Sequence, residues 1–470
     1  MSMIPSIAQL SASSTAFRLR SRDRAWTLPE LIASARALAP SLPDATASAL
    51  EVPAQGPVQA LIHIEAALSR GIIPVPSTRA RTPKILGVPR DLEGAALGLR
   101  TSGSTGAPRL PVFAWDAVVR SAHRIAEYLE LSPEDEVALL QPLDHGFGLV
   151  GQLFAAIAAG AAVTDCASPY PDERAEAVAA SQASVVAAVP HALLQLADHL
   201  PEIDPEAALR LRSVGSAGGR LAPALARRLA LAFSEAVIWN QYGCTEAGPR
   251  IAAVPSSHIA FYTGTVGRAI RGVNLWIGDP VRGEVMPAGR PGEICFASDT
   301  QMLGYLGDPE ATRKQRRSLG QAYGFWTGDL GVLDPDDRLH VLGRADDLVK
   351  VRGERVSLEA VARGAEAVGA RAAIALLVEP EPEAADGTLV LVYEGDEELH
   401  PTALARALPA QMWPRRMLWV PHLPRLPSGK VDRGAVENLA LVALEAPVSR
   451  RPTAAVRAMQ AHLPPGEPIE

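Results

Sequence analysis

Cysteine is scarce in this sequence: Cys166, Cys244 and Cys295 are the three in 470 residues, and they form neither a CxxC pair nor a cluster with histidines. This spacing argues against a disulfide framework and a zinc site, and it suits a reducing compartment. Runs of eighteen or more apolar residues are absent, and residues 1–24 lack the apolar core of a signal peptide. We therefore expect a cytoplasmic protein that does not bind membranes.

A strong excess of charge is also lacking. Lys and Arg number 45 against 52 Asp and Glu, which gives a formal net charge of −7. No global positive field is available to recruit nucleic acid or an anionic membrane, so any polyanion must be bound locally. The chain has 470 residues, of which 48% are hydrophobic, and this is enough for more than one domain and a large core.

Hydroxyl groups alternate with glycines in residues 101–109, Thr-Ser-Gly-Ser-Thr-Gly-Ala-Pro-Arg. Backbone N–H and side-chain O–H groups can converge on an anion there, because glycine lets the backbone approach closely. The stretch predicts a phosphate-binding loop, although a plain surface loop would have a similar composition. A Walker-type loop is excluded, since no Gly-Lys-Ser/Thr closes the run. The residues assigned to the bound nucleotide are Thr101, Ser102, Gly103, Ser104, Thr105, Gly106 and Arg109.

Four further motifs follow the loop in order. They are residues 240–246 (Asn-Gln-Tyr-Gly-Cys-Thr-Glu), 326–329 (Trp-Thr-Gly-Asp), 343–353 (Gly-Arg-Ala-Asp-Asp-Leu-Val-Lys-Val-Arg-Gly) and 427–433 (Pro-Ser-Gly-Lys-Val-Asp-Arg). Together with the loop, they resemble the adenylate-forming superfamily of acyl- and aryl-CoA synthetases, nonribosomal peptide adenylation domains and luciferases. The resemblance covers about residues 26–433 and is poor before Leu61.

The fold class predicted by the resemblance is α/β. It implies a large N-terminal adenylation domain of parallel sheets with helices plus a β-subdomain, residues 1–345, and a small mobile α+β lid domain, residues 346–470. The sequence itself has short apolar runs at 185–189, 212–216 and 236–239 between helical segments, a rhythm typical of a parallel sheet. Residues 149–162 predict one buried helix. About a hundred residues precede the loop, fewer than the superfamily usually has.

Several residues gain nucleotide-binding roles from the resemblance. It implies that Tyr242 stacks on adenine, that Thr245 contacts the α-phosphate, and that Glu246 holds Mg²⁺. One glutamate plus nucleotide oxygens suffices for this hard cation. Asp329 would accept hydrogen bonds from the ribose hydroxyls, and Arg344 would contact the ribose or phosphate. The remaining residues assigned to the nucleotide site are Ala217, Gly218, Gly219, Asn240 and Gly243.

Catalytic roles also come from the resemblance. His145, in the segment Pro-Leu-Asp-His-Gly-Phe-Gly, would lie at the acid pocket beside a thiol tunnel, although a helix cap is the ordinary role of such a histidine. Lys430 would bridge the carboxylate and phosphate oxygens, whereas a lysine in a turn is normally solvated and inert. Asp346 would be the hinge of the lid, and Gly353 would let a pantetheine arm pass. An ordinary basic hairpin is the alternative for residues 350–353.

These roles imply an AMP-forming acid–thiol ligase that uses ATP and Mg²⁺ and transfers an acyl group to CoA or to the phosphopantetheine of an acyl carrier protein. Small residues at Gly215, Ala217, Gly218 and Gly243 indicate a flat or slender acid, such as a hydroxybenzoate. In this the chain is similar to the short AMP-ligases of aryl-polyene pathways. A medium- or long-chain fatty acid CoA ligase and a non-catalytic nucleotide-binding regulator are alternatives. Either a monomer or a homodimer fits the sequence.

One departure from the superfamily pattern concerns the end of the loop. The superfamily commonly has Pro-Lys-Gly there, whereas this chain has Pro108, Arg109 and Leu110. Arginine keeps the positive charge but presents a planar fork of donors instead of a compact ammonium group. We therefore expect a different grip on the pyrophosphate.

Overall fold

A computed structural model describes residues 4–11, 16–21, 24–44, 48–89, 92–101, 109–319, 322–351, 354–378, 387–426 and 429–445. The predicted phosphate-loop residues Ser102, Gly103, Ser104, Thr105 and Gly106 lie outside these ranges, as does Gly353. Among the described residues, no helix combines the length and hydropathy needed to cross a membrane.

The helices and strands of the described residues are as follows. The strands are β1 (Arg18–Arg20), β2 (Ala25–Thr27), β3 (Ser48–Pro53), β4 (Ile73–Ser77), β5 (Lys84–Pro89), β6 (Ala95–Gly98), β7 (Pro111–Ala114), β8 (Glu136–Leu139), β9 (Ala162–Asp165), β10 (Val185–Ala188), β11 (Ser213–Ser216), β12 (Val237–Tyr242), β13 (Ala252–Pro255), β14 (Arg268–Ala269), β15 (Val273–Gly278), β16 (Gly292–Ser298), β17 (Gly304–Tyr305), β18 (Arg316–Leu319), β19 (Ala322–Leu333), β20 (Leu339–Arg344), β21 (Leu348–Val351), β22 (Glu354–Ser357), β23 (Ala372–Val378), β24 (Thr388–Glu394) and β25 (Arg416–Val420). The helices are α1 (Leu28–Leu38), α2 (Pro57–Ser69), α3 (Trp115–Tyr128), α4 (Gly146–Gly148), α5 (Ala155–Ala159), α6 (Pro171–Ser181), α7 (Pro190–Ile203), α8 (Pro205–Arg210), α9 (Pro223–Ala232), α10 (Pro309–Gln315), α11 (Leu358–Ala367), α12 (Pro401–Ala407) and α13 (Arg433–Glu445).

Contacts between residues divide the described chain into two compact units. Unit 1 lies within Met1–Arg290, Cys295–Thr327 and Leu333–His340, and unit 2 lies within Pro291–Ile294, Gly328–Val332 and Val341–Glu470. The predicted domain boundary between residues 345 and 346 and the hinge at Asp346 remain predictions.

The largest sheet consists of nine described strands in the order β14-β13-β12-β11-β10-β8-β9-β1-β2. The strands from β12 to β1 in this order run parallel, and antiparallel pairs close both ends. Every residue of β8, β10 and β11 is buried, as expected for parallel strands covered on both faces. A core of apolar side chains from these strands and from α6, α7 and α9 packs together. The predicted α/β fold is therefore confirmed.

Smaller sheets accompany it. The strands β17, β7 and β6 form one sheet, and β4, β3 and β5 form another. Five further described strands form a sheet in the order β15-β16-β19-β18, with β20 paired to β19. In unit 2, β21 and β22 form a hairpin, and β23, β24 and β25 form a sheet whose apolar side chains pack with α11 and α13.

The single helix predicted over residues 149–162 is wrong in detail. Residues Leu149–Phe154 form a π-helical turn, α5 follows, and Gly160 ends it with a φ of 74°. A π turn inserts one extra residue into a helix and alters which side chains face inward. Gly151 lies in this turn, and a Cβ atom there would lie 3.3 Å from Nη2 of Arg250. A side chain at this position would press against the guanidinium.

The amino ends of three parallel strands are joined by one buried carboxylate. Asp135, just before β8, accepts hydrogen bonds from Nε and Nη2 of Arg212 at 2.7 and 2.6 Å, and from Oγ of Ser184 at 2.8 Å. Arg212 precedes β11 and Ser184 precedes β10. Burial alone would raise the pKa of Asp135, but these hydrogen bonds outweigh it and hold that pKa below its usual value.

We expect Asp135→Asn to lower the free energy of unfolding by about 2 kcal/mol, because it leaves the guanidinium without its anionic partner. The estimate is reduced from that of a fully buried pair because the Arg212 side chain is 39% exposed. The ionised carboxylate stabilises the fold above its unfolded pKa, about 3.9, and this contribution is lost as the pH falls through the lower folded pKa.

Urea unfolding at pH 7 and pH 3 measures both effects. The control is Glu127→Gln, whose partner Arg271 is 80% exposed, and which should change stability by less than about 0.5 kcal/mol. Equal losses in the two variants would contradict a special role for Asp135.

Candidate active site

The carboxyl ends of β8, β10, β11 and β12 lie at one edge of the parallel sheet of unit 1. The segment containing His145 follows β8, Ala217 follows β11, and Tyr242 ends β12 ahead of Thr245. Loops at this edge of an open α/β sheet commonly form binding sites. The fold thus brings the predicted acid, adenine and phosphate residues of unit 1 to the same edge.

Two glycines at this edge have structural reasons to be glycine. Gly218 has a φ of 77°, in the left-handed region that other residues adopt rarely. A Cβ atom on Gly243 would lie 2.0 Å from the carbonyl oxygen of Pro249, so any side chain would displace that backbone. Ala217 is 3% exposed, and its N–H donates to the carbonyl oxygen of Ala188 at 3.3 Å. Gly219 is exposed beside Pro190.

Asn240 is held inside the sheet. Its side chain is 4% exposed, and Nδ2 donates to the carbonyl oxygen of Thr265 at 2.8 Å. Oγ1 of Thr265 donates in turn to the carbonyl oxygen of Leu339 at 2.7 Å. The geometry gives Asn240 a structural role, and its predicted contact with the nucleotide remains a prediction.

The ends of the predicted phosphate loop are fastened to each other. The Thr101 N–H donates to the carbonyl oxygen of Arg109 at 3.1 Å, and the Arg109 N–H donates to Oγ1 of Thr101 at 3.2 Å. Antiparallel β6 and β7 lead into and out of the loop. The loop is therefore the connection of a hairpin, and its base has a fixed width.

Tyr305 connects the base of this loop with the predicted metal ligand. It lies on β17, which pairs with β7 in a register that sets Tyr305 opposite Pro111. Its ring lies 5.4 Å from Cζ of Arg109, and its hydroxyl lies 2.7 Å from Oε1 of Glu246 and 2.7 Å from Oε1 of Gln315. A phenol has one proton, which goes to the carboxylate, so the Gln315 amide is best oriented with its NH₂ toward the hydroxyl.

The environment of Tyr305 keeps its hydroxyl protonated. The residue is 1% exposed, and burial together with the negative charge of Glu246 raises its pKa well above the usual value. Tyr305 therefore stays a hydrogen-bond donor to Glu246 across the whole range of pH in which enzymes work. This contact orients the Glu246 carboxylate.

The residues fit a magnesium ion held mostly by nucleotide oxygens. Among the described residues, no cluster of three or more His, Cys, Asp and Glu side chains could hold a metal. Glu246 supplies one hard carboxylate, and Tyr305 engages Oε1 of it. Mg²⁺ commonly binds through one or two carboxylates plus substrate phosphates. Glu246 would hold the ion in this arrangement.

His145 caps α4 without a side-chain hydrogen bond to the helix. Its Nε2 lies 3.7 Å from Oδ1 of Asp144, whose Oδ2 accepts a hydrogen bond from Oγ1 of Thr78 at 2.8 Å. The structure thus places the carboxylate of the preceding residue in the motif near the imidazole. The predicted role of His145 at the acid pocket remains a prediction.

Unit 2 contains the residues predicted to bind ribose and to form the hinge. Arg344 donates from Nη1 to Oδ1 of Asp329 at 3.0 Å and from Nε to Oδ1 of Asp346 at 3.1 Å. Burial alone would lower the pKa of Arg344, but the two carboxylates outweigh it and raise that pKa. The guanidinium also lies against Gly328, whose N–H donates to Glu293. The two predicted ribose residues are therefore already paired.

A second contact in unit 2 joins two of the sequence motifs. Arg433, at the end of the lysine motif, donates from Nη1 and Nη2 to the two carboxylate oxygens of Asp347 at 2.8 and 3.1 Å. Lys430, three residues before Arg433, is exposed on a turn. Its carbonyl oxygen accepts a hydrogen bond from the Leu426 N–H at 2.8 Å. Sequence reasoning missed this pair because 86 residues separate its members.

Residues 36–306, more than half of the 470, match the family of AMP-binding enzymes. The chain belongs to the AMP-binding enzyme family. 4-Coumarate-CoA ligase 2 from Narcissus pseudonarcissus is 30% identical over 346 residues, 71% of this chain and 60% of that protein. 4-Coumarate:CoA ligase 1 from Petunia hybrida is 27% identical over 345 residues, 71% of this chain and 63% of that protein. The chain thus spans less than two thirds of the length of these curated relatives.

Solved structures have the same fold as this AMP-binding enzyme family member. ATP-bound MatB from Rhodopseudomonas palustris has a TM-score of 0.77 at 21% identity and covers 93% of this chain and 99% of its own. The anthranilate CoA ligase AuaEII in complex with anthranoyl-AMP has a TM-score of 0.75 at 19% identity, with 94% and 98% covered. The likeness is one of fold, and it agrees with the predicted α/β architecture.

For this AMP-binding enzyme family member, we expect Tyr305→Phe to weaken the binding of Mg·ATP about tenfold, since a hydrogen bond to a charged group contributes roughly 1.5–3 kcal/mol. Titration calorimetry at several Mg²⁺ concentrations measures the change, and the loss should be largest when Mg²⁺ is limiting. Tyr170→Phe, at a site 45% exposed, is the control. Equal affinities for the two variants at every Mg²⁺ concentration would contradict the orienting role of Tyr305.

Proposed function

We propose that the chain is an AMP-forming acid–thiol ligase. In the first half-reaction a carboxylate oxygen attacks the α-phosphorus of ATP, the bond to the β-phosphate oxygen breaks, and pyrophosphate leaves. In the second, a thiol sulfur attacks the carbonyl carbon of the acyl-adenylate, the bond to AMP breaks, and the thiol proton passes to solvent. The products are a thioester, AMP and pyrophosphate.

The observation that carries this proposal is the contact of Tyr305 with both Glu246 and Arg109 in unit 1. It joins the predicted metal ligand to the base of the predicted phosphate loop, two features that are 137 positions apart (246 − 109) in the sequence. A triphosphate with its cation needs positive charge and a hard oxygen ligand close together. A loop without catalytic meaning would have no need of that pairing.

The first half-reaction brings two anions together, so its barrier depends on neutralising charge. Lys430 would bridge the carboxylate and the α-phosphate, Thr245 would donate to the α-phosphate, and Arg109 would hold the departing pyrophosphate. Mg²⁺, when bound, supplies further positive charge at the phosphate oxygens. Asp329 and Arg344 would orient the ribose, and Tyr242 the adenine. Positioning and charge thus account for the catalysis.

The second half-reaction needs a route for the thiol and the removal of Lys430. Rotation of the backbone at Asp346 would withdraw the lysine and bring in Gly353, which is small enough to let a pantetheine arm pass. The acceptor thiol belongs to CoA or to an acyl carrier protein. CoA is named in the curated relatives described above, which supports it as the first acceptor to test.

We propose an aryl acid as the substrate. The relatives are named for 4-coumarate, and AuaEII for anthranilate, all of them flat aromatic acids. The small residues Ala217, Gly218 and Gly243 at the sheet edge suit a flat ring. A medium- or long-chain fatty acid remains an alternative substrate, and a non-catalytic nucleotide-binding regulator an alternative function. ATP–pyrophosphate exchange with a panel of acids, together with a measurement of ATP binding, distinguishes these three possibilities.

We expect Lys430→Ala to lower the rate of acid-dependent ATP–pyrophosphate exchange at least about a hundredfold. The substitution removes the positive charge that would neutralise the substrate carboxylate and the α-phosphate as they approach. Exchange is measured with benzoates, cinnamates and fatty acids of graded length. Lys84→Ala, an exposed lysine on β5, is the matched control and should exchange like the unaltered protein.

Equal exchange by Lys430→Ala and the control would show that the lysine assignment is wrong. ATP binding without exchange on any acid would favour the regulator, and a response confined to long chains would favour the fatty acid ligase. Supplying preformed acyl-adenylate with CoA or with a carrier protein then identifies the acceptor.

A further inference from the structure

Arg250 is a buried cation whose partners in the described structure are uncharged. It is 4% exposed, Nε donates to Oε1 of Gln241 at 2.8 Å, and Nη1 donates to the carbonyl oxygen of Pro249 at 3.5 Å. Its Cζ lies 4.6 Å from the ring centre of Phe147. Among the residues that the structure describes, no carboxylate pairs with it. A guanidinium has five N–H donors, and these two contacts leave three for another acceptor.

The neighbours of Arg250 are also polar, buried and incompletely paired. Within the described ranges, Nε2 of Gln241 has no hydrogen-bond partner, and neither do the two amide atoms of Gln152. The hydroxyl of Tyr128 lies beside the Arg250 guanidinium. Gln241 and Gln152 are each 3% exposed. Gln152 follows Gly151, the residue whose missing side chain makes room for Nη2 of Arg250. Buried amides and hydroxyls in proteins normally have partners, so this cluster is suited to receive one.

The cluster adjoins the segments predicted to enclose the acid. Phe147 belongs to the His145 motif, and a Cβ atom on Gly146 would lie 3.2 Å from Cβ of Pro249. Gln241 precedes Tyr242 on β12, and Gly243 packs against the backbone of residues 249 and 250. Gly243 is exposed whereas Gln241 is buried, so the cluster lies deeper in the sheet than the glycine.

We propose that Arg250, together with the amides of Gln241 and Gln152, closes the far end of the acid pocket and binds an oxygen on the substrate. The acid therefore has an acceptor oxygen opposite its reacting carboxylate, as a ring hydroxyl or a second carboxylate. This inference rests on the proposed function and narrows it. A buried guanidinium without a carboxylate partner favours such an oxygen strongly, since charge-assisted hydrogen bonds are the strong ones. An apolar ring end would leave these donors unpaired.

Matched acids test this directly in the unaltered protein. ATP–pyrophosphate exchange is measured for three pairs of acids. The pairs are 4-hydroxybenzoate and 4-methylbenzoate, 4-hydroxycinnamate and 4-methylcinnamate, and terephthalate and 4-methylbenzoate. We expect kcat/KM to be at least about tenfold higher for the oxygen-bearing acid of one pair, since sites with buried polar groups reject analogues that lack the partner. The hydroxyl pairs and the terephthalate pair distinguish the two sources of oxygen.

Arg250→Met retains most of the side-chain length but removes the charge. We expect this variant to have nearly equal kcat/KM for the two acids of each pair, so that their ratio falls to about one. The KM for ATP should stay unchanged. Arg271→Met, at a position 80% exposed, should keep the full preference. Gln152→Leu is a second variant, for use if Arg250→Met folds poorly. It should lower the preference for the oxygen-bearing acid in part.

Three outcomes would overturn the proposal. Exchange with equal kcat/KM for both members of every pair would refute the oxygen contact while leaving the ligase intact. An equal loss of kcat/KM for both acids of a pair in Arg250→Met would show that the arginine has only a structural role. Absence of exchange with any acid in the unaltered protein would instead refute the ligase and this inference together.

Discussion

The parallel pairing of the large sheet is the constraint on which the candidate site depends. In parallel strands all carboxyl ends meet at one edge, so residues distant in sequence are gathered without direct contact between their segments. Asp135 joins the amino ends of β8, β10 and β11 through Arg212 and Ser184, at the edge opposite the site. Since a slip of one residue would turn every side chain to the other face, these contacts also fix which groups reach the site.

The parts of this arrangement that short stretches encode could be predicted from the sequence. The buried run at β10 and the motif around Tyr242 each carry their signal within a few neighbouring residues. The contact of Tyr305 with Glu246 joins residues 59 apart and follows from sheet pairing, which no local pattern specifies. The π turn at Leu149–Phe154 was also missed, since the apolar run from Leu149 carries no local signal for it, and the neighbour of its Gly151 is the distant guanidinium of Arg250.

Unit 2 combines one contact that resists change with another that permits it. Arg433 and Asp347 form a bidentate pair in which the carboxylate side chain is 6% exposed, so breaking it would leave a buried charge. Arg344 and Asp346 are 42% and 43% exposed, and such pairs contribute little. A backbone rotation at Asp346 would therefore cost little in lost ion pairing, whereas the next residue stays tied to the lysine motif. The hinge predicted at Asp346 thus lies beside a residue held by a buried ion pair.

Under the proposals above, arginine would bind phosphate at position 109 and select the acid at position 250. Arg109 is exposed, so its charge is screened by solvent and would suit any triphosphate. Arg250 is buried among amides, where a poor fit leaves donors unpaired and every mismatch is penalised. Arg109 adjoins β7 of the three-stranded sheet and Arg250 lies between β12 and β13 of the large sheet, so under the two proposals changes at Arg250 would alter the choice of acid and not the binding of ATP. Under this proposal, a change of one buried residue would suffice to change which acid the fold accepts.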